Sequence, residues 1–350
     1  MIREQIRENI GIIYLDRPKA INALSLDMII RIKEILLKWE NDDNIKAVLL
    51  DGCGQKGFCA GGDIKEIYND YINNDNEPNK VKFFEIEFDL DKYISTYKKP
   101  IISHWFGITM GGANGLSMNS DFIIADESVN WAMPETILGF TPDVGVGKFI
   151  STLPQALGQY VGLLGVSLKA DDLIKYGFAD NYIDSSDYEE LIINLFELSK
   201  DYEGQRLIDE FRKISIGYKK ERKETDIDKN MEKINKYFSY PSLKEICQNL
   251  AYNLDDDFAQ KCYEGLKERD SLVLALQFEK YFVAKTLTYE QTLELDLRLL
   301  GNPYIQNSTR EGIKAKVIDK NHKAKWDHKS LDDVDMEMVN RLLAIDFKVK

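Results

Sequence analysis

Residues 107–115, GITMGGANG, and residues 131–145, WAMPETILGFTPDVG, are the most informative segments of this sequence for its fold and chemistry. The first places a glycine-rich turn ahead of a short run that is suited to open a helix. The second places two carboxylates, Glu135 and Asp143, in an otherwise apolar segment that contains proline. Together they supply what acyl-transfer chemistry needs, namely backbone N–H groups directed at an oxyanion and acid–base groups beside it.

A second glycine-rich loop, KGFCAGGD at residues 56–63, also lies between a predicted strand and a predicted helix. Glycine lets the backbone approach a ligand closely, and a helix N-terminus presents unpaired N–H groups. If Gly62 and Gly112 each direct one N–H group at the same point, they form an oxyanion hole. The alternative is that both loops are tight turns at close-packing positions, and the glycines alone leave both interpretations open.

The two carboxylates allow a similar pair of interpretations. Burial raises the pKa of a carboxyl group toward a range that is useful for proton transfer. The functional interpretation makes Glu135 a general base or nucleophile and Asp143 a second acid group. The alternative makes Glu135 an acid at a helix N-terminus and Asp143 a turn residue before Gly145, and spacing alone does not decide between them.

The first half of the chain alternates strand and helix signals, which predicts an α/β domain. The predicted strands are 10–15, 47–50, 101–102 and 122–125, with a further strand paired to the first across a turn at 8–9. A helix capped by Ser25 or Asp27 is predicted to run to about Glu40, and another to begin near Asp63. From about residue 187 the strand signals fade, and helices are predicted at 188–198, 242–252, 257–269, 271–284 and 289–300.

Composition narrows the possible classes of protein. The chain has 350 residues, 44% of them hydrophobic, which is enough for a sizeable core. The net charge of -13 argues against nucleic acid as a partner, because phosphate neutralisation needs clustered Lys and Arg. No apolar run approaches the ~18 residues of a membrane span.

Cysteine and histidine usage predicts no metal site. The four cysteines have no close CxxC pairing, which is typical of reduced thiols; they are Cys53, Cys59, Cys247 and Cys262. The three histidines have no ligand-like spacing, and His104 is predicted to be a strand residue near the site entrance. The acidic residues of the N-terminus are unlike a transit peptide, so we expect a cytoplasmic protein or a mitochondrial matrix protein whose leader has been removed.

Three segments resemble the crotonase (enoyl-CoA hydratase/isomerase) superfamily, and more closely its 3-hydroxyisobutyryl-CoA hydrolase branch. They are KGFCAGGDI at 56–64, GITMGGANGLS at 107–117 and AMPETILGFTPDVG at 132–145. The likeness covers nearly the whole chain, from LDRPKAINAL at 15–24 to STREGIKAKVIDKNHKAKW at 308–326. It implies the crotonase (ClpP-like) spiral of β-β-α units, with residues 1–186 as the core that holds the CoA thioester. Residues 187–350 would form a mainly helical region that completes or covers the site.

The resemblance also implies roles for particular residues. Gly62 and Gly112 match the oxyanion-hole donors, Glu135 matches the catalytic glutamate, and Asp143 matches the aspartate that works with it. Glu87 matches a glutamate that contacts the acyl portion of the substrate, with Glu85 as the other possible register. The residues that fall where such enzymes hold CoA are Lys19, Lys56 and Ala60.

Two departures from the hydratase pattern favour thioester cleavage. Hydratases of this superfamily carry a second glutamate where this chain has Gly115, and usually carry a glycine where this chain has Asp143. The second acid has therefore moved, which shifts the expected chemistry from adding water across C=C to cleaving a thioester. The third loop glycine is also replaced, by Ala113, and Asn114 follows it, so both add bulk there.

The sequence thus predicts hydrolysis of a short β-hydroxyacyl-CoA, most specifically 3-hydroxyisobutyryl-CoA in valine catabolism, to free acid and CoA. No cofactor is expected beyond the CoA of the substrate, no membrane partner is expected, and a homo-oligomer is possible. Two alternatives remain open at this point. One is an enoyl-CoA hydratase or isomerase, and the other is a non-catalytic crotonase-fold subunit of a larger assembly such as a mitochondrial ribosome.

Overall fold

Eight strands and sixteen α-helices make up the described part of the computed structural model, which is residues 1–73 and 81–344. The strands are β1 (Ile2–Arg7), β2 (Ile10–Leu15), β3 (Ala47–Gly52), β4 (Ile101–Trp105), β5 (Ile108–Met110), β6 (Phe122–Asp126), β7 (Asn130–Ala132) and β8 (Asn181–Ile183). The helices of the first half are α1 (Leu26–Glu40), α2 (Ile64–Asn73), α3 (Lys82–Ser95), α4 (Gly112–Ser117), α5 (Gly147–Ile150), α6 (Gln155–Leu164) and α7 (Ala170–Lys175). Those of the second half are α8 (Tyr188–Asp201), α9 (Gly204–Ser215), α10 (Asp226–Phe238), α11 (Leu243–Ala251), α12 (Asp257–Lys267), α13 (Ser271–Ala284), α14 (Tyr289–Leu300), α15 (Pro303–Ile313) and α16 (Met336–Leu343).

The chain separates into two compact units, which we call the sheet unit and the helical unit. The sheet unit comprises Met1–Asp63, Ile86–Trp131 and Leu168–Ile227. The helical unit comprises Ile64–Glu85, Ala132–Ser167 and Asp228–Lys350. The domain boundary expected at residue 186 stays a prediction.

The sheet unit is built on a six-stranded sheet in the order β1-β2-β3-β4-β6-β8. β1 pairs antiparallel with β2, and the remaining neighbours pair in parallel. The strands are short and rich in buried Ile, Val and Leu, as expected for parallel strands covered on both faces. One face packs on α8 and α9 through residues that include Leu49, Phe122, Leu195 and Phe211.

The predicted α/β class is confirmed, and the elements with the strongest periodicity lie where the sequence places them. β2, α13 and α14 match their predicted bounds, and the side chain of Ser25 caps α1 by accepting a hydrogen bond from the Met28 amide at 3.3 Å. The turn at 8–9 is also present, with Glu8 at φ 50°. The short strands β5, β7 and β8 were not predicted, because three residues carry too little periodicity to be recognised.

Two loops of the sheet unit begin where neighbouring parallel strands end. β3 ends at Gly52 and β4 ends at Trp105, and the two glycine-rich loops follow them. Ligands of open α/β sheets bind at the carboxyl ends of strands. The fold therefore places both predicted donor loops at the edge of the sheet where ligands usually bind.

Candidate active site

Backbone hydrogen bonds join the two glycine-rich loops of the sheet unit. The Cys59 amide donates to the Ile108 carbonyl at 3.1 Å, and the Met110 amide donates to the Cys59 carbonyl at 3.1 Å. A Cβ atom built on Gly112 would lie 3.2 Å from the amide nitrogen of Gly62. The two predicted donor glycines are therefore brought together, as an oxyanion hole requires.

The approach of the loops depends on glycine at the neighbouring positions. Gly61 has φ 91° and Gly111 has φ 56°, in the left-handed region that L-residues with side chains rarely occupy. A Cβ on Gly61 would also lie 2.8 Å from the Met110 carbonyl oxygen. A side chain at Gly61 would push the two loops apart and separate the donors.

The amides of Gly62 and Gly112 are not used in the backbone hydrogen-bond network of the described residues. Gly112 is the first residue of α4, so its N–H group has no acceptor within the helix. Within residues 1–73 and 81–344, neither the Gly62 nor the Gly112 amide donates a backbone hydrogen bond. Ala113 and Asn114, which replace the more usual residues of this loop, are fully buried in α4.

Glu87 is the glutamate of α3 that lies at the donor pair. It is only 3% exposed, whereas Glu85 is exposed. A Cβ on Gly112 would approach Glu87 Oε1 to 2.1 Å, so the carboxyl group lies directly against Gly112. Burial raises the pKa of the Cys59 thiol to about 12, and the charge of Glu87 adds to the shift. Geometry therefore favours Glu87 over Glu85 as the residue near the oxyanion hole.

Asn22 fastens the first loop and was not predicted. Its side-chain amide donates to the carbonyls of Cys53, Gly57 and Phe58 at 3.0, 3.1 and 3.0 Å. Its Oδ1 accepts from the Arg17 amide at 2.9 Å. The LDRPKAINAL motif contains this residue, and a buried amide that satisfies several backbone carbonyls is the role that the motif could have suggested.

The residues expected to hold CoA lie on neighbouring segments of the sheet unit. Lys19 is exposed in the short 3-10 turn Pro18–Ala20, and Lys56 is exposed in the first glycine-rich loop. A Cβ on Gly54 would lie 2.8 Å from the Pro18 Cβ, so the turn is close to the residues just before this loop. Ala60 is half-buried and donates its amide to the Ile21 carbonyl at 2.9 Å. Their assignment to CoA stays a prediction.

Glu135 opens a 3-10 helix, Glu135–Leu138, in the helical unit and is 4% exposed. Gly139, at φ 87°, ends the helix and donates its amide to the carbonyls of Glu135 and Thr136. A Cβ on Gly139 would lie 2.3 Å from the Ser308 carbonyl oxygen, so the turn is packed closely against α15. The segment that carries Glu135 is thus rigidly held.

A buried arginine braces the Glu135 segment. Arg269 Nε donates to Thr136 Oγ1 at 3.2 Å, and Nη2 donates to the Leu164 carbonyl at 2.8 Å. Thr136 in turn donates to the Leu163 carbonyl at 3.0 Å. Burial lowers the pKa of Arg269 to about 10, which Glu268 partly offsets. This residue was also missed, since nothing in the local sequence links it to Glu135.

Asp143 is 4% exposed and lies in the loop that precedes α5. Burial and the neighbouring Asp296 carboxylate together raise its pKa to about 8, against the opposing charge of Lys280. The raised pKa favours the protonated form of Asp143, which is the form that can donate a proton. Burial raises the pKa of Tyr71 on α2, and the charge of the Asp143 carboxylate adds to that shift.

His104 lies in β4, as predicted, but within a buried polar cluster. Its Nδ1 is 3.1 Å from Asp51 Oδ1, and its Nε2 is 3.8 Å from Asp126 Oδ2. Its ring stacks on Tyr188 with the centroids 3.6 Å apart, and the Tyr188 hydroxyl donates to Asp51 Oδ2 at 2.8 Å.

In the described part of the chain, no group of three or more His, Cys, Asp or Glu side chains could hold a metal ion.

The sequence model of the enoyl-CoA hydratase/isomerase family matches residues 10–343. The chain belongs to this family. Among curated proteins, this family member is 35% identical over 338 residues to the "3-hydroxyisobutyryl-CoA hydrolase, mitochondrial" of Xenopus laevis, covering 94% of this chain and 85% of the relative. The human protein of the same name is 33% identical over 337 residues, with coverages of 94% and 85%.

Solved structures of the family confirm the fold. An enoyl-CoA hydratase from Rhodobacter sphaeroides is 28% identical, with a TM-score of 0.86 over 98% of this chain and 97% of that chain. A carnitinyl-CoA dehydratase from Mycobacterium thermoresistibile is 27% identical, with a TM-score of 0.85 over 100% and 98%. The predicted crotonase fold and the resemblance to the 3-hydroxyisobutyryl-CoA hydrolase branch are confirmed.

No helix in residues 1–73 and 81–344 has the length and apolar character needed to span a membrane.

Proposed function

We propose that this family member hydrolyses a short β-hydroxyacyl-CoA thioester, 3-hydroxyisobutyryl-CoA in the first instance, to the free acid and CoA. The observation that carries the proposal is Asp143, a buried carboxyl group whose pKa is raised to about 8. Thioester cleavage must protonate a departing thiolate, and a carboxyl group that keeps its proton at neutral pH is suited to that task. Relatives at 33–35% identity bear the name of this activity.

In the proposed mechanism, the amides of Gly62 and Gly112 hold the thioester oxygen and stabilise the negative charge that develops on it. Glu135 acts in one of two ways. It removes a proton from water as the water attacks the carbonyl carbon, or it attacks that carbon itself to give a mixed anhydride that water then hydrolyses. In both cases the C–S bond breaks with its electron pair on sulfur, and Asp143 gives sulfur a proton.

The remaining site residues are assigned to binding. Glu87, against Gly112, contacts the acyl portion, and Lys19, Lys56 and Ala60 hold the CoA portion. A cationic side chain on an exposed loop suits the phosphates of CoA. We propose no cofactor or metal, because each step uses groups that this chain supplies.

The relatives' names also bear on compartment. Both are named as mitochondrial proteins, which supports the matrix alternative over the cytoplasm for this chain. A homo-oligomer, with no nucleic acid or membrane partner, remains our proposal for its assembly.

A panel of acyl-CoAs tests the proposed function. The purified protein is mixed with 3-hydroxyisobutyryl-CoA, 3-hydroxypropionyl-CoA, acetyl-CoA and crotonyl-CoA, and free thiol and enoyl absorbance are followed together. We expect thiol release that is fastest with the β-hydroxyacyl substrates and no loss of enoyl absorbance. Loss of enoyl absorbance without thiol would establish a hydratase instead. Absence of both, with stoichiometric association with ribosomes, would establish the non-catalytic subunit.

A further inference from the structure

A buried ion pair in the helical unit lies beside the loop that carries Asp143. Lys280 on α13 pairs with Asp296 on α14, and their side chains are 1% and 0% exposed. Removing two charges from water is costly, and apolar residues of similar size often stabilise a core as well as such a pair. Core stability alone therefore does not explain why two charged residues lie here. The contacts that Lys280 and Asp296 make with other residues indicate what else the pair does.

Lys280 and Asp296 both form hydrogen bonds with the loop at residues 141–145, one on each side of Asp143. Lys280 Nζ donates to the Pro142 carbonyl and lies 3.5 Å from Thr141 Oγ1. On the other side, the Gly145 amide donates to Asp296 Oδ2 at 2.9 Å. The pair therefore spans the loop, with the catalytic candidate between its two attachment points.

The loop needs such support because its backbone is strained. Val144 has φ 49°, which is an unfavourable value for a β-branched residue. Gly145 has φ 72°, and a Cβ there would lie 2.2 Å from Tyr289 Cε2. The Tyr289 hydroxyl also donates to the Val144 carbonyl at 3.1 Å. Strain of this kind persists only where surrounding groups impose it.

We propose that Lys280 and Asp296 are positioning residues, which hold the 141–145 loop and thereby fix the place and the protonation of the Asp143 carboxyl group. The proposal rests on the proposed function of Asp143 as an acid. The charged groups that act on Asp143 from the packed elements are Asp296 on α14 and Lys280 on α13, and Asp143 in turn raises the pKa of Tyr71 on α2. Asp296 raises the pKa of Asp143 and Lys280 lowers it, so substitutions can separate the effects of the two residues.

The test uses D296N, with K280M/D296N as the variant that removes both charges. In D296N the anion beside Asp143 is lost while the Lys280 cation remains, so Asp143 ionises at lower pH. The readout is the infrared band of the protonated Asp143 carboxyl, identified as the band lost in D143N and followed against pH. We expect the band to disappear near pH 8 in wild type and at lower pH in D296N.

Activity and stability are measured on the same proteins. K280M/D296N should stay folded but melt at a somewhat lower temperature than wild type, because methionine leaves the Pro142 carbonyl without its donor. Its kcat for thiol release should fall about 100-fold with little change in KM, because a small misplacement of a catalytic group has that effect. Tyr281→Phe is the matched control, since it removes a buried hydrogen bond of the same helix, to the Leu153 carbonyl, and should leave kcat unchanged.

The outcomes separate this proposal from the proposed function. A D296N band that disappears at the wild-type pH, or a K280M/D296N enzyme with wild-type kcat, would overturn the positioning role. A wild-type protein that releases no thiol from any acyl-CoA would overturn the proposed function. In that case the infrared titration would still decide whether the pair controls Asp143.

Discussion

At the scale of single residues, Gly112 is a position where a side chain would disturb the proposed site directly. Its amide is one of the two proposed donors, and a side chain there would meet both Glu87 Oε1 and the Gly62 amide. The glycine therefore allows a donor and an acid to lie next to each other. A motif search recognises the glycine, but only the structure shows which glutamate requires it.

Replacing Gly112 by alanine should strongly impair catalysis. The new Cβ would displace Glu87 and the donor loop, and loss of one oxyanion donor typically lowers kcat about 100- to 1000-fold. The measurement is thiol release by G112A, with Gly217→Ala as the control, because a Cβ on Gly217 meets no atom within 4 Å. The double variant G112A/E87A should recover melting temperature but not kcat. A G112A enzyme with the kcat of wild type would remove Gly112 from the oxyanion hole.

At the scale of elements, the polar cluster around His104 joins three neighbouring strands to a helix. Asp51 belongs to β3, His104 to β4, Asp126 to β6, and Tyr188 begins α8. Burial alone would lower the pKa of His104, but the charge of Asp51, its hydrogen bond to the ring and the nearby charge of Asp126 raise it to about 9. The imidazolium is thus a positively charged link between the strand ends.

The cluster predicts a specific dependence of stability on pH. Because the pKa of His104 is raised, its contribution is fully present below the unfolded value of about 6.5 and is lost as pH rises through about 9. The free energy of unfolding of wild type should exceed that of H104Q by up to about 3 kcal/mol near pH 6, and the difference should shrink toward pH 10. Denaturant unfolding from pH 6 to 10 measures it, with the exposed His322→Asn as control. A difference that stays constant over this range would contradict the assignment.

The helices α13 and α14 also show which structural features the local sequence predicts and which it does not. The period of apolar residues predicted the bounds of α13 and α14, but their contribution to the site lies in single charges on otherwise apolar faces, Lys280 and Asp296. Those charges were the available signal, since a buried charge is rare unless it is paired. Their partners could not be identified from the sequence, because Asp296 lies 151 residues beyond Gly145 in the chain.

At the scale of the whole molecule, the sequence predicted the fold class, the family and the segments that bear the chemistry, because these are encoded in contiguous motifs. The structure adds what depends on packing across long separations. Asn22 fastens a loop more than thirty residues away, with 36 residues separating it from Phe58, and Arg269 braces Thr136 from 133 residues away. Such residues support the site without lying in its motifs, and they were found only when contacts were known.

The most direct test of the account is the kcat for thiol release from 3-hydroxyisobutyryl-CoA by E135Q, compared with wild type and with Glu85→Gln. Glu85 is an exposed glutamate of α3, so its substitution controls for loss of one carboxylate. The account predicts that E135Q loses about 100- to 10,000-fold in kcat with an unchanged melting temperature, while E85Q behaves as wild type. An E135Q enzyme that releases thiol at the wild-type rate would contradict it.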